Sequence, residues 1–430
     1  MDNLHILITR HYDLDSTHYT KIWLESILPE LSKFFSVKIT WFCYFDEKIP
    51  DIPTVNNISV IQIQDFDNGM DVIRKIRPDL IIDNEFPTLI DLAFFVASRN
   101  QISFIRKWNF SYEIKSTFGN TLTGLSVLFQ STLPSTNQTH KKFMNRGRFF
   151  YKKYLFFIKT LVKSKLSLFE KFLYFYISVK WHLKGDDPFS HPKLQTDLEL
   201  LNSDTLKQYL LKKNYSPSSL IVTGLPDLDS TIKKSKIIPS KNTKKLKILF
   251  APTQIYEGHI FREVKIDLIN KIIAPIVNSK SDFSLSVKLH PSSQNFDDYK
   301  KLIHAIDESI PIFQEGGIEN HINNCDLFVS FGISSVFVYP LIAKKPIVVC
   351  DFLKSKDYFS TLTSGDEYKD LVFFCNDSKT LPQVLFTAYR DNPKKIPKIE
   401  KYLERTYYKL DGLSSERVVN AIKQLILQKK

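Results

Sequence analysis

The chain has 430 residues, 43 % of them hydrophobic and 24 % charged, enough for two or three domains with cores of their own, so disorder is not the default reading. Lysine and arginine number 59 against 46 acids, giving a formal charge of +13 and a pI near 9.2, so an anionic partner is expected: a nucleotide, a phospholipid surface or a nucleic acid. Cys43, Cys325, Cys350 and Cys375 show neither CxxC nor Cys/His ligand spacing, which argues against a structural zinc or a disulfide framework and for thiols in a reducing compartment.

Short apolar runs rich in β-branched residues alternate with longer amphipathic stretches, the pattern of βα units around parallel sheets. LHILIT from Leu4 opens as a strand, and a helix is predicted over 17–35. Strands follow at VKITWFCYF (Val37), ISVIQIQDF (Ile58), DLIIDNEF (Asp79), QISFIRKW (Gln101) and GLSVLFQS (Gly124), with a helix near 70–76. From Lys141 to Lys184 the segment holds twelve Lys or Arg and one acid, Glu170, interleaved with Phe, Tyr and Leu, which reads as one or two basic amphipathic helices. A helix near 204–212 and the strand SLIVTGLPDLD close a first domain over 1–240, and the Lys-rich stretch 232–245 reads as a linker.

The same grammar restarts with KLKILFAPTQ, a helix near 261–276, FSLSVKLHP, a helix near 296–307 and PIFQEGG. It continues with a helix near 318–324, DLFVSFG, a helix over ISSVFVYPLIAK, PIVVCD and DLVFFC. This assigns a second Rossmann-like domain to 245–403 and a helical tail to 404–430. The opening MDNLHILITR lacks the basic head and apolar stretch of a secretory signal, and no apolar run approaches the ~20 residues that span a bilayer. A cytoplasmic protein is expected, with peripheral attachment to the inner face of the cell membrane left open.

Two stretches carry the chemistry. In NCDLFVSFGISSVFVYPLIAKKPIVV a strand ends at Ser330, and Ser334 and Ser335 stand where a helix would begin. Hydroxyls and free N–H groups there can take an anion, or Ser334 can simply cap the helix. In VKLHPSS a strand ends in His290 with Pro291 closing the turn; a histidine at a carboxyl strand edge can donate to a diphosphate or protonate a leaving group, or be a plain turn residue.

LHP followed by DLFVSFGISSVFVYPLIAKKPIVV resembles the nucleotide-binding half of bacterial polysialyltransferase- and capsule-type glycosyltransferases and of CDP-glycerol glycerophosphotransferases. The resemblance implies a GT-B fold, two Rossmann-like domains facing across a cleft, here with a basic helical insertion at 141–184. It implies donor-phosphate contacts for His290, Ser334 and Ser335, with Ser330 beside them. The Asp-Tyr pair usual before the two serines is replaced by Phe331, Gly332 and Ile333, one residue longer, which weighs against a CDP-alcohol donor. SLIVTGLPDLDS is similar to the segment closing the first domain of non-hydrolysing UDP-GlcNAc 2-epimerases, and Gly224 and Pro226 suit a tight reversal there.

In such folds the loop APTQIYEGH would bring Thr253 and Gln254 to the donor, and Gly317 of QEGG would let backbone approach a nucleobase. Inversion needs a base for the acceptor hydroxyl; Asp13, His18 and Glu85, which follow the first strand and DLIID, are the candidates. The expected activity is metal-independent transfer of a sugar from a nucleotide donor, UDP or CMP type, to a glycan or lipid-linked acceptor, with no cofactor besides that substrate. The alternatives are a 2-epimerase or CDP-alcohol phosphotransferase of the same fold, or a non-catalytic protein binding membrane or nucleic acid. The basic segment has three readings: a membrane-surface helix with Trp181 in the interface, a stripe packed on the first domain, or a nucleic-acid patch.

Overall fold

The computed structural model describes residues 2–10, 19–44, 58–84, 88–99, 101–108, 138–184, 188–235, 245–252, 262–290, 296–331, 335–352 and 369–429. They form two compact units, Met1–Pro226 with Leu413–Lys430, and Asp227–Gly412. The strand predicted from Gly124 lies outside the described residues.

The first unit is built on β1 (Asp2–Arg10), β2 (Phe35–Cys43), β3 (Ile58–Gln62), β4 (Leu80–Asn84), β5 (Ser103–Lys107), β6 (Leu198–Leu201) and β7 (Leu220–Val222). They lie in the order β3-β2-β1-β4-β5-β6-β7, every pair parallel. Successive side chains point to opposite faces, so Leu7, Phe42, Ile81 and Phe104 enter one core while Ile6, Ile8, Trp41, Ile82 and Ile105 enter the other. A parallel sheet must be covered on both faces, and α1 (Tyr19–Leu31) lies over the second core through Trp23, Leu24 and Ile27.

The first core is covered by α2 (Gly69–Ile76), α3 (Leu89–Ser98), α4 (Gln138–Lys163) and α5 (Leu168–Lys184), and α6 (Asp204–Lys212) adds Leu206 and Leu210. The starts of α2, α3 and α5 are chemically specified. The Asn68 side chain accepts from Asp71 N, and the Thr88 hydroxyl accepts from Asp91 N while the Asp91 carboxylate accepts from Thr88 N. Ser167 and Glu170 make the same reciprocal box at α5. Gly69 lets α2 approach α4: its N–H donates to Thr160 Oγ1 at 2.7 Å, and a Cβ there would sit 3.2 Å from that hydroxyl. The basic segment is thus two helices whose inner side chains, Phe156, Phe157, Leu161, Tyr174 and Ile177, are buried, with Trp181 packed against them.

The second unit opens with α7 (Asp229–Ser235), whose Thr231 and Ile232 are buried. Helix therefore replaces the start of the linker expected at 232–245. Its strands are β8 (Leu246–Ala251), β9 (Phe283–Lys288), β10 (Ile312–Phe313), β11 (Leu327–Phe331), β12 (Ile347–Cys350) and β13 (Phe373–Cys375), in the order β10-β9-β8-β11-β12-β13 and all parallel. Its further helices are α8 (Arg262–Asn278), α9 (Phe296–His304), α10 (Ile318–Asn324), α11 (Val338–Ile342), α12 (Leu381–Asp391) and α13 (Ile396–Thr406).

The division falls at Pro226, after Gly224 at φ 84°, rather than near 240, and 404–430 is not one tail. The chain turns at Gly412, φ 82°, and α14 (Ser414–Lys429) returns to the first unit. The reason is packing: Val418, Val419, Ala421 and Ile422 are buried among Trp23, Leu24 and Ile27, Arg417 Nε donates to the Thr223 carbonyl at 2.9 Å, and Lys429 reaches Asp197 at 2.9 Å. Ile422→Ala should lower the unfolding free energy in urea by about 2–5 kcal/mol, the usual loss for a buried isoleucine. Leu427→Ala, at a side chain 60 % exposed on the same helix, should change it by no more than about 0.5 kcal/mol.

Candidate functional site

In the second sheet the strand order reverses between β8 and β11, whose ends are neighbours, Ser330 lying opposite Ala251. Crevices at the carboxyl ends of strands flanking such a reversal are where open α/β sheets take ligands. The chain leaving β8 runs into Thr253 and Gln254, that leaving β9 into His290, and that leaving β11 into Ser334 and Ser335. Thr253, Gln254 and Ser334 lie outside the described residues. Ser335 opens a single 3-10 turn, Ser335–Phe337, that runs into α11.

The long helix expected over ISSVFVYPLIAK is therefore replaced by this turn and five α-helical residues, ended by Lys344 at φ 53°. So short a helix has little macrodipole to offer an anion. Phe337 is fully buried edge-on to Phe328, ring centroids 6.0 Å apart, which fixes the turn. Ser330 is also fully buried, its hydroxyl donating to the Phe331 carbonyl at 3.3 Å within its own strand.

Beside the reversal lies a polar cluster at the ends of β9 and β10. Lys288, 3 % exposed, donates from Nζ to the carbonyls of Leu289 at 3.0 Å and Gln314 at 2.6 Å. Burial lowers its pKa, with the Glu319 charge opposing. The ammonium so ties the end of β9 to the turn after β10, which continues through Gly316 at φ 77° to Gly317, the residue before α10. The Glu319 carboxylate folds back over Gly317, where any Cβ would collide with it. The His321 ring lies over Phe313 at 4.5 Å, and burial, then the Lys288 charge, lower its pKa. His290, half-buried, and Gly317 thus flank one sheet edge with Lys288 and His321. Neither Lys288 nor His321 was picked from the sequence; the one signal was a lysine ending an otherwise mainly apolar strand.

The first sheet reverses between β1 and β4, and Asp13 and His18 follow β1 as Glu85 follows β4; all three lie outside the described residues. Next to the points where those segments leave is a buried charged row. Asp83, Arg106 and Glu199 are in register across β4, β5 and β6. The Arg106 guanidinium, fully buried, stands 3.9 Å from Asp83 and 3.7 Å from Glu199 and donates to Tyr215 Oη at 3.1 Å. Trp108 Nε1 and Thr196 Oγ1 each donate to Glu199 at 2.6 Å, and Thr9 Oγ1 to Asp83 at 3.4 Å. The row ties the ends of β4, β5 and β6 together, with Thr9 joining β1 to it, and its side chains are buried within the sheet rather than facing a ligand.

No family model and no curated protein matches the chain; solved structures do. A variant of the wall teichoic acid polymerase TagF soaked with CDPG is 13 % identical, over 99 % of this chain and 89 % of that one, with a TM-score of 0.53. A Listeria monocytogenes protein assigned as a UDP-N-acetylglucosamine 2-epimerase is 14 % identical over 99 % and 97 %, TM-score 0.55. S. aureus MnaA with UDP is 13 % identical over 99 % and 97 %, TM-score 0.50. At these identities the likeness is one of fold, and the fold is GT-B: two Rossmann-like units, each on its own parallel sheet.

Replacing Arg106 by Met leaves two buried carboxylates facing each other without their cation, and should cost about 3–5 kcal/mol of unfolding free energy in urea. Lysine at 106 should restore only part, because a point charge cannot serve two carboxylates and a phenol in one plane. His321 gives a pH dependence. Its folded pKa lies below the ordinary 6.5, so its contribution to stability is present above that pH and is lost as pH falls through 6.5 toward the folded value. His5 and His191 shift the same way; His321→Gln should therefore shallow, but not abolish, the fall of the melting temperature on acidification.

Proposed function

We propose that the chain is a glycosyltransferase that moves a sugar from a nucleotide-activated donor, UDP or CMP type, to a hydroxyl of a glycan or lipid-linked acceptor. The observation that carries this reading is the topology of the second sheet, which sends the segments bearing Thr253 and Gln254, His290, and Ser334 and Ser335 out of β8, β9 and β11 at one carboxyl edge beside a strand reversal. His290, Ser334 and Ser335 take the donor phosphate, with hydroxyls and backbone N–H groups rather than a helix dipole as the anion's partners. The Lys288-braced turn at Gln314 and Gly317 takes the base. The bond from the anomeric carbon to the phosphate oxygen breaks, the acceptor oxygen forms the new bond, and its proton passes to Asp13, His18 or Glu85. Fixed donors stabilise the charge on the departing nucleotide, a scheme that requires no metal.

A second reading has its own support. Likeness to the Listeria protein and to MnaA, together with Gly224 in the left-handed conformation within VTGLPDLD, favours a nucleotide-sugar 2-epimerase; likeness to TagF soaked with CDPG keeps a CDP-alcohol donor in view. An epimerase consumes UDP-GlcNAc without acceptor, whereas a transferase needs one.

A thermal-shift series with UDP, CMP, CDP and GDP tests the nucleotide site. One of them should stabilise the protein by about 2.7 kcal/mol at a hundred times its dissociation constant. His290→Ala and Ser335→Ala should abolish that shift while leaving the unliganded melting temperature in place, and no shift with any nucleotide overturns the reading. Among Asp13→Ala, His18→Ala and Glu85→Ala, one should lose about 10²–10⁴-fold in turnover with the donor-induced shift retained; full turnover in all three removes these residues as bases.

A further inference from the structure

The hairpin of α4 and α5 is apolar on two opposite sides. The inner side belongs to the core already described. On the outer side Leu168 is 85 % exposed, Phe169 69 %, Phe172 70 % and Tyr176 55 %, with Val162 at 66 % on α4. On α5 these positions, spaced i, i+1, i+4 and i+8, share one face, while Tyr174, Ile177 and Trp181 occupy the other. On α4 Tyr151 and Leu155 continue the outer stripe of Val162. A soluble helix of this kind normally turns charge to water opposite its core face, and this one turns aromatic rings.

The hairpin is also braced and charged. Tyr154 packs on Phe175 at 6.3 Å, and Lys171 Nζ donates to the Val162 carbonyl at 2.8 Å. The one acid of 141–184, Glu170, is engaged with Arg99 at 3.7 Å and with Ser167. Lys152, beside Tyr151, Lys165, in the turn before Leu168, and Lys180, one turn beyond Tyr176, are exposed. Apolar rings edged by lysines, with no exposed acid between them among the described residues of the hairpin, match a phase that is hydrocarbon within and anionic at its rim.

We propose that the outer face of the α4–α5 hairpin docks the protein on an anionic lipid bilayer, Leu168, Phe169 and Phe172 entering the boundary between headgroups and acyl chains and the lysines meeting lipid phosphates. Docking is interfacial, since no helix among the described residues is long and apolar enough to cross a membrane. A second copy is the poorer occupant because a two-fold contact would oppose lysines to lysines. The docking surface lies wholly in the first unit and does not rest on nucleotide binding by the second.

Co-sedimentation of the full chain with vesicles, without any nucleotide, tests this. Wild type should partition onto vesicles of equal parts phosphatidylcholine and phosphatidylglycerol, far less onto phosphatidylcholine alone, and less again at high salt. Phe169→Ser with Phe172→Ser should weaken partition about tenfold or more, and Lys165→Glu with Lys180→Glu at least about fivefold, each with an unchanged melting curve because the side chains are exposed. Wild type remaining in the supernatant with both vesicle types, or the phenylalanine variant binding as wild type does, overturns the proposal. So does an absence of vesicle binding alongside dimerisation, or DNA binding, that the phenylalanine variant abolishes.

Discussion

Parallel strands cannot be joined by tight hairpins; each connection must cross over a face of the sheet, and such crossovers keep one hand. A chain that builds outward from a first strand in one direction, then returns to build in the other, leaves two neighbouring strands whose outgoing segments diverge to opposite faces. That constraint operates twice here, at β1 and β4 and again at β8 and β11. It decides which loops begin side by side at a carboxyl edge, whatever their sequence. Every candidate residue for binding or proton transfer belongs to, or follows in sequence, a strand of such a pair or one within two strands of it.

Buried charge marks the same places. Interiors of parallel strands are apolar by necessity, so Asp83, Arg106 and Glu199 across three strands, and Lys288 at the end of a fourth, cost desolvation that only a complete set of partners offsets. The partners are there: a phenol, an indole N–H and a threonine hydroxyl around the first group, two backbone carbonyls around the second. Their shared effect is orientation. Each ties together the ends of adjacent strands through charge-assisted bonds.

Much of the architecture was legible because alternation of short β-branched runs with amphipathic stretches is a strong signal, and the second unit's strands and most of its helices follow it. Two elements of the first unit were not. LIDLAFFVAS forms α3 with all ten residues buried, so it has no polar face and no helical period to detect. LELL forms β6, but Glu199 interrupts its apolar run, and only the guanidinium supplied by a distant strand makes a glutamate admissible there. Of the candidate site, what was legible is its strand ends: His290 follows β9 and Ser335 follows β11. Lys288 and His321 were not, because their roles arise from a neighbouring strand and a following helix that meet only in the fold. The helix expected after Ser334 failed for a local reason: burial of Phe337 against Phe328 fixes a 3-10 turn where periodicity alone suggested a continuous helix.

The first unit's two faces are completed by different kinds of helix. One is closed by α14, which arrives from the far end of the chain and whose last turns are amphipathic in the ordinary sense. The other is closed by α4 and α5, anchored through Phe156 to Phe42 and Phe94 at 6.0 and 6.2 Å. Packing as close as that of an organic crystal transmits displacement rather than absorbing it. Phe42 belongs to β2, the strand paired along its whole length with β1, from which the segment bearing Asp13 and His18 departs. The ring that anchors the basic hairpin to the sheet, Phe42, therefore stands on the strand next to β1. An apolar surface carried on such a hairpin is fixed relative to that sheet, and this separates it from a flexible basic arm, whose orientation would be lost through the linker joining it to the fold.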